Sequence, residues 1–93
     1  MTKFRVLLSQ TCVSQLKLLD SKRRKRIKEG LRNLEISPFR NRPGADIKKL
    51  VTHAEPPLFR MRIGDYRAVY FIVGDEVRVT EIIHRSKGYK WLE

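Results

Sequence analysis

The sequence predicts an α+β domain in which one strand and two helices precede a three-stranded antiparallel meander, with the helices on one face of the sheet. Three observations predict it. Apolar residues alternate with polar ones near the start, they recur at helical spacing between residues 12 and 34, and the second half carries β-rich runs separated by Gly-Asp pairs. A length of 93 residues allows a single domain, over residues 1–93, with a shallow surface cleft and no deep chamber.

The elements follow in order. From Lys3 to Leu8, Phe4, Val6 and Leu8 alternate around Arg5, the period of a strand. Thr11 is placed to cap a helix that turns Cys12 or Val13, Leu16 and Leu19 inward. Asp20 or Ser21 caps a second helix that runs to about Ile36, where Ser37-Pro38 stops it because a residue before proline avoids helical geometry. Within it Ile27, Leu31 and Leu34 form one apolar stripe. Lys22, Lys25, Arg26, Lys28 and Arg32 point away from that stripe, with Arg23 and Arg24 at its borders. This ridge reads either as a solvated face or as a grip on phosphates. Phe39 to Asp46, which follows Pro38 and holds Pro43 and Gly44, reads as an irregular loop. Leu58–Ile63, Tyr66–Val73 and Val77–Ile83 read as strands.

Charge narrows the function classes. Lys and Arg total 21 against 10 Asp and Glu, a net +11 that attracts polyanions, nucleic acid first. No apolar run approaches the ~20 residues of a membrane span, and MTKFRVLL is too short and polar for a signal peptide, so a cytoplasmic location is expected. The lone Cys12 excludes an internal disulfide or a cysteine metal cluster and reads as a small buried thiol. His53 and His84 lack spaced ligand partners, and no phosphate loop, Ser-His-Asp order or dinucleotide fingerprint is present. Neither metal nor cofactor is expected.

The first hairpin makes a geometric statement. With Gly64-Asp65 as a two-residue loop, Ile63 opposes Tyr66, Arg62 opposes Arg67 and Arg60 opposes Val69. Opposed side chains share a face, so Arg60, Arg62 and Arg67 cluster, while Phe59, Met61, Ile63, Tyr66, Ala68 and Tyr70 turn to the helices. Like charges opposed across a sheet cost up to ~1 kcal/mol, which favours an anionic ligand over an ordinary solvent face. For the second hairpin a three-residue loop, Gly74-Asp75-Glu76, pairs Val73 with Val77, Arg67 with Ile83, and brings Arg85 to the arginine face. A two-residue loop reverses that side. The three-residue form is preferred because it collects the arginines. The tail HRSKGYKWLE adds His84, Arg85, Lys87 and Tyr89. Tyr89 and Trp91 read either as packing residues or as a platform for base stacking. Lys48, Lys49 and Lys87 join the helical ridge as candidate RNA contacts.

The stretch LFRMRIGDYRAVYFIVGDEVRVTEIIHRSKGY closely resembles the C-terminal half of RelE-like toxins of the RelE/ParE superfamily. These carry a basic-x-basic strand, a turn, a Tyr-Arg-x-x-Tyr strand, and a strand ending in His-Arg followed by a tyrosine. The helical half agrees in order and length. The resemblance implies a compact fold with its active face on the concave side of the sheet. It implies a type II toxin, an endoribonuclease that cuts messenger RNA in the ribosomal A site by 2′-hydroxyl attack, without metal. It also implies an acidic RelB-like antitoxin, with the ribosome and messenger RNA as further partners.

By position, Arg60 and Arg62 match the basic pair that holds phosphate, and Arg67 the arginine that stabilises the pentavalent phosphate. Arg85 matches the proposed donor to the leaving 5′-oxygen, and Tyr89 the tyrosine that stacks on a base or accepts the 2′ proton. Some members carry lysine at the positions of Arg60 and Arg62. An arginine, with a pKa above ~12, cannot replace a lysine as proton carrier, so His84 becomes a second candidate acid or base. The same superfamily contains ParE-like gyrase poisons that lack this set, and a noncatalytic RNA-binding domain is a third reading.

Overall fold

A computed structural model describes residues 3–87. The first strand, β1, spans Arg5–Leu8, and α1 follows over Gln10–Lys17. The cap of α1 is Ser9 and not Thr11: the Ser9 hydroxyl accepts from Cys12 N–H at 3.0 Å, which leaves Thr11 inside the first turn. Asp20 caps α2 (Ser21–Leu31) by accepting from Arg23 N–H at 2.8 Å. The second helix is interrupted earlier than its apolar stripe suggests. The Asn33 amide donates to Gly30 O, and a separate turn, α3 (Asn33–Ile36), completes the run. Ser37 is extended, as its proline neighbour requires.

The sheet has five strands in the order β1-β5-β4-β3-β2. The meander comprises β3 (Phe59–Ile63), β4 (Tyr66–Val73) and β5 (Glu76–His84). β1 lies parallel to β5 at one edge. At the other, β2 (Asp46–Lys49) pairs antiparallel with β3 just past the loop read from the sequence. β2 was hidden because Ile47 is its sole apolar residue, a pattern too sparse to show period two. Its pairing comes from β3, and the Asn41 carboxamide oxygen accepts from Ile47 N–H.

One face of this sheet carries the core. Cys12 and Leu16 of α1, with Ile27, Leu31 and Leu34 of the second helical run, pack on Met61, Ile63, Ala68, Tyr70, Val77, Val79 and Ile82. Each fully buried aliphatic side chain contributes roughly 1.5–3 kcal/mol. Gly30 is required here: a Cβ would sit 2.9 Å from the Ile63 side chain. Tyr70 is fully buried, donates to Pro38 O at 2.7 Å, and its hydroxyl pKa is raised by that burial against the pull of Arg42 and Arg60. Burial likewise pushes the Cys12 thiol up to about 11, in keeping with an inert structural thiol. Among the described residues no helix is long and apolar enough to cross a membrane.

Candidate functional site

The β3–β4 hairpin has the register that the two-residue loop predicts. Ile63 pairs with Tyr66, Arg62 with Arg67, and Arg60 with Val69. Gly64 holds φ at +58°, and Asp65 needs no positive φ, the arrangement of a type II′ turn.

The β4–β5 hairpin differs from the three-residue expectation. Val73 pairs with Glu76, so only Gly74 and Asp75 form the loop. A bulge then shifts the register between Val69 and Tyr70, so that Tyr70 opposes Val79 while Val69 opposes Glu81. The extra residue is Thr80. Beyond it Arg67 pairs with Ile83, the pairing the longer loop was invoked to produce. α1 holds the bulge. Ser9 N–H donates to Val79 O at 2.9 Å, the Ser9 hydroxyl to Thr80 O at 2.6 Å, and Ile82 N–H to the Gln15 side-chain oxygen at 2.7 Å. Thr80 itself donates its hydroxyl to Val69 O.

These registers build two rows across the face turned away from the helices. One reads Asp46, Arg62, Arg67, Ile83, and the next Lys48, Arg60, Val69, Glu81. Neighbours in a row stand roughly 5 Å apart. Leu50, Val69 and Ile83, with Leu58 against them, form a small apolar cluster on this side. The two rows therefore enclose more than a solvent face does.

The arginines divide in two. Arg67 is 2% exposed, and its Nη1 donates to Gly64 O at 3.3 Å and to Tyr66 O at 3.2 Å, tying it to the turn. Arg60 is 7% exposed, and its Nη1 bonds both the backbone oxygen and the carboxylate of Asp46, at 3.0 and 2.9 Å. Burial without such acceptors would cost several kcal/mol for a charged group. Arg62, between them, is exposed. So is Arg85, which leaves the end of β5 with its N–H on Asp65 O at 2.8 Å and its Nε 3.6 Å from the Asp65 carboxylate. A charged platform with two held and two exposed guanidiniums can bind a phosphate bidentately and stabilise charge developing on it.

The remaining sequence candidates scatter. His84 pairs with Tyr66, on the helix-side face, and stacks edge-on against that ring at 5.0 Å. Its Nδ1 accepts from Ser86 N–H at 3.1 Å and lies 2.8 Å from the Ser86 hydroxyl. The sheet thus separates His84 from the arginine rows. Lys48 lies in the second row, whereas Lys49 pairs with Phe59 and borders an open groove with Phe39 and Ile72 on the other face. Lys22, Lys25, Arg26, Lys28 and Arg32 are all exposed, as the helical spacing requires, and Lys87 ends a short 3₁₀ turn (Arg85–Lys87). Tyr89 and Trp91 lie outside the described residues. Sequence reasoning missed the carboxylates of the site, Asp46, Asp65 and Glu81. Only pairing brings Asp46 beside Arg60 and Glu81 beside Val69, and no local signal marks them.

The chain matches the family described as "ParE toxin of type II toxin-antitoxin system, parDE" over residues 6–89. It is 31% identical over 87 residues to Toxin RelE3 of Methanocaldococcus jannaschii, covering 94% of this chain and 97% of the relative. Its fold is similar to the archaeal RelE-RelB complex from Pyrococcus horikoshii OT3, with a TM-score of 0.75, 27% identity, and coverage of 95% of this chain and 100% of that one. It is also similar to the RelB-RelE antitoxin-toxin complex from Methanococcus jannaschii, with a TM-score of 0.69, 29% identity, and coverage of 94% and 99%.

Proposed function

Because the chain belongs to the ParE toxin family of type II toxin–antitoxin systems, within the RelE/ParE superfamily, we propose that it is a RelE-like endoribonuclease that cuts messenger RNA in the ribosomal A site. The observation that carries this reading is the Arg62–Arg67 cross-strand pair, with Arg60 in the next row and Arg85 just past the end of β5 against Asp65. The relatives named RelE, at 27–31% identity, support it.

In the proposed reaction the ribose 2′-oxygen attacks the adjacent phosphorus, its proton leaves to a base, and the P–O5′ bond breaks as the 5′-oxygen takes up a proton. The products are a 2′,3′-cyclic phosphate and a 5′-hydroxyl end. Arg67, already oriented by the turn carbonyls, and the exposed Arg62 would neutralise charge on the non-bridging oxygens. Arg85 would stand at the leaving oxygen as a hydrogen-bond donor. With a pKa above ~12 an arginine releases a proton poorly, so positioning of the RNA by the ribosome supplies much of the rate. Tyr89 is the candidate for the 2′ proton, because His84 lies on the helix-side face of the sheet, away from the arginine rows. No metal or small-molecule cofactor takes part in this scheme.

The proposed partners are the ribosome, messenger RNA and an acidic RelB-like antitoxin, all in the cytoplasm. Two of the similar structures are complexes with RelB, and a +11 chain favours a partner rich in carboxylates. The name of the matched family favours a second reading, a ParE-like poison of DNA gyrase. One experiment separates them: mapping of messenger RNA ends in a translating extract, beside a gyrase supercoiling assay. New 5′-hydroxyl ends that require ribosomes support the nuclease. Inhibited supercoiling with intact messages would establish the poison instead.

A further inference from the structure

Between α2 and the Gly64–Asp65 turn lies an open bay of about 340 Å³, bordered by Arg26, Glu29, Gly30, Gly44, Arg62 and Gly64. Arg26 occupies it in an unusual way. A Cβ placed on Gly64 would lie 3.2 Å from Arg26 Cζ, 3.3 Å from Nη2 and 3.5 Å from Nε. The central carbon is the nearest atom, which only a face-on approach allows. The guanidinium therefore lies flat over the glycine, and the missing side chain at Gly64 is what admits it. A guanidinium covered on its face keeps its N–H donors at its rim, in a fixed fork. Arg26 is exposed, and among the described residues it holds no ion pair. Arg23, one turn earlier, differs because it is paired with Asp20 at 2.9 Å.

We propose that Arg26 is a positioning residue that grips a second RNA phosphate, next to the one held at Arg62 and Arg67. The inference rests on the nuclease reading above. Arg62 is the link, since it borders the bay and also stands in the row with Arg67. An RNA strand carries a phosphate at every nucleotide, so one crossing the arginine row at Arg62 meets the bay next. Glu29 contributes one opposing carboxylate against the two guanidiniums of Arg26 and Arg62. The bay accordingly takes an anion at the Arg26 side, and the bidentate fork suits a phosphate.

The test uses a single-stranded RNA oligonucleotide blocked at every 2′-oxygen by methylation, so that binding is read without cleavage. Arg26→Gln should weaken binding about tenfold at low salt, in line with one lost charge-assisted bond. It should also flatten the slope of log K against log salt by ~0.7, the value for one single-strand phosphate contact. Arg26→Lys should restore the slope but not the full affinity, because it keeps the charge and loses the stacked fork. Lys17→Gln on α1 removes an equal charge outside the bay and should leave the slope unchanged. In the extract, Arg26→Gln should raise the half-saturating ribosome concentration and spare the maximal rate.

Unchanged slope and affinity in Arg26→Gln would overturn the proposal, as would an Arg26→Lys protein equal to wild type. Retained RNA binding with a loosened acidic antitoxin would make the bay a carboxylate site, which also overturns it. An equal loss on vacant and message-programmed ribosomes would move the contact to ribosomal RNA and end the assignment to the messenger. Failure of the nuclease reading shows separately, as a wild-type protein that never cuts.

Discussion

The two hairpins share β4 and the same kind of turn, yet they obtain their registers by different means. The β3–β4 hairpin holds one register from Ile63–Tyr66 to Phe59–Tyr70. The β4–β5 hairpin changes register at Val69/Tyr70, and the change is held by Ser9 and Gln15, residues about 70 positions away in the chain. The first is thus a local structure, with turn chemistry and alternation agreeing. The second depends on tertiary bonds to a bulge, and the alignment of Ile83 with the arginine row depends on it. A strand can therefore present the same face to both neighbours for unrelated reasons.

The largest expected effect lies in the local hairpin. Arg67→Ala should lower cleavage of ribosome-bound message by ~10²–10³-fold, the loss typical of one oxyanion donor. Because the side chain is buried on the carbonyls of Gly64 and Tyr66, it should also destabilise the fold by ~1–3 kcal/mol. Arg62→Ala, exposed in the same row, should lose activity with stability kept within ~0.5 kcal/mol. Denaturant midpoints measured beside cleavage rates would check both, and equal stability losses would show that the arginine row is not divided into held and exposed members.

Next comes the bulge. Gln15→Leu leaves Ile82 N–H without its acceptor, an expected loss of ~1–3 kcal/mol. The Ile82 amide should lose hydrogen-exchange protection before amides of β3 do. Slower cleavage with unaltered Arg67 would follow from displacement of Arg85. Protection unchanged at Ile82 would mean that the bulge is held by the strands themselves.

Smaller effects compare the turns. Gly64→Ala and Gly74→Ala should each cost about 1 kcal/mol, since both glycines have φ near +60°. They should differ in RNA binding: a Cβ at Gly74 meets nothing within 4 Å, whereas one at Gly64 lands on the Arg26 guanidinium. Only Gly64→Ala should weaken RNA binding, with the salt slope kept because the Arg26 charge remains. The smallest effect concerns Cys12. Its thiol is raised by burial to about 11 from 9.0. The stability this contributes is fully present below pH 9 and declines as pH rises toward 11. A Cys12→Ala protein should lack that alkaline decline in a pH series of thermal melts.

Several site features were legible because they follow from spacing alone. Glycine-aspartate turns and period-two alternation placed Arg60, Arg62 and Arg67 on one face, and the i, i+4, i+7 stripe of Ile27, Leu31 and Leu34 turned Arg26 outward. What could not be read were groups whose roles come from a distant partner. Asp46 looks like part of a loop until β3 supplies its ladder. Gln15 looks like a surface residue of a helix until a strand offers it an amide. The preferred three-residue loop placed Arg67 opposite Ile83 but with the wrong turn, because a one-residue shift made at a bulge resembles one made at a loop.

The sequence by itself determined the α+β order, the helix-covered face, the first hairpin's register and a net charge of +11. Each depends on residues within a few positions of one another, where backbone geometry leaves few choices. The tertiary structure alone decided that Arg67 and Arg60 are buried and held while Arg62 and Arg85 are exposed, that His84 is cut off by the sheet, and that Arg26 stacks on Gly64. Burial and hydrogen-bond partners belong to pairs of residues far apart in the chain, and their positions become related only when the strands align and the helices close over them.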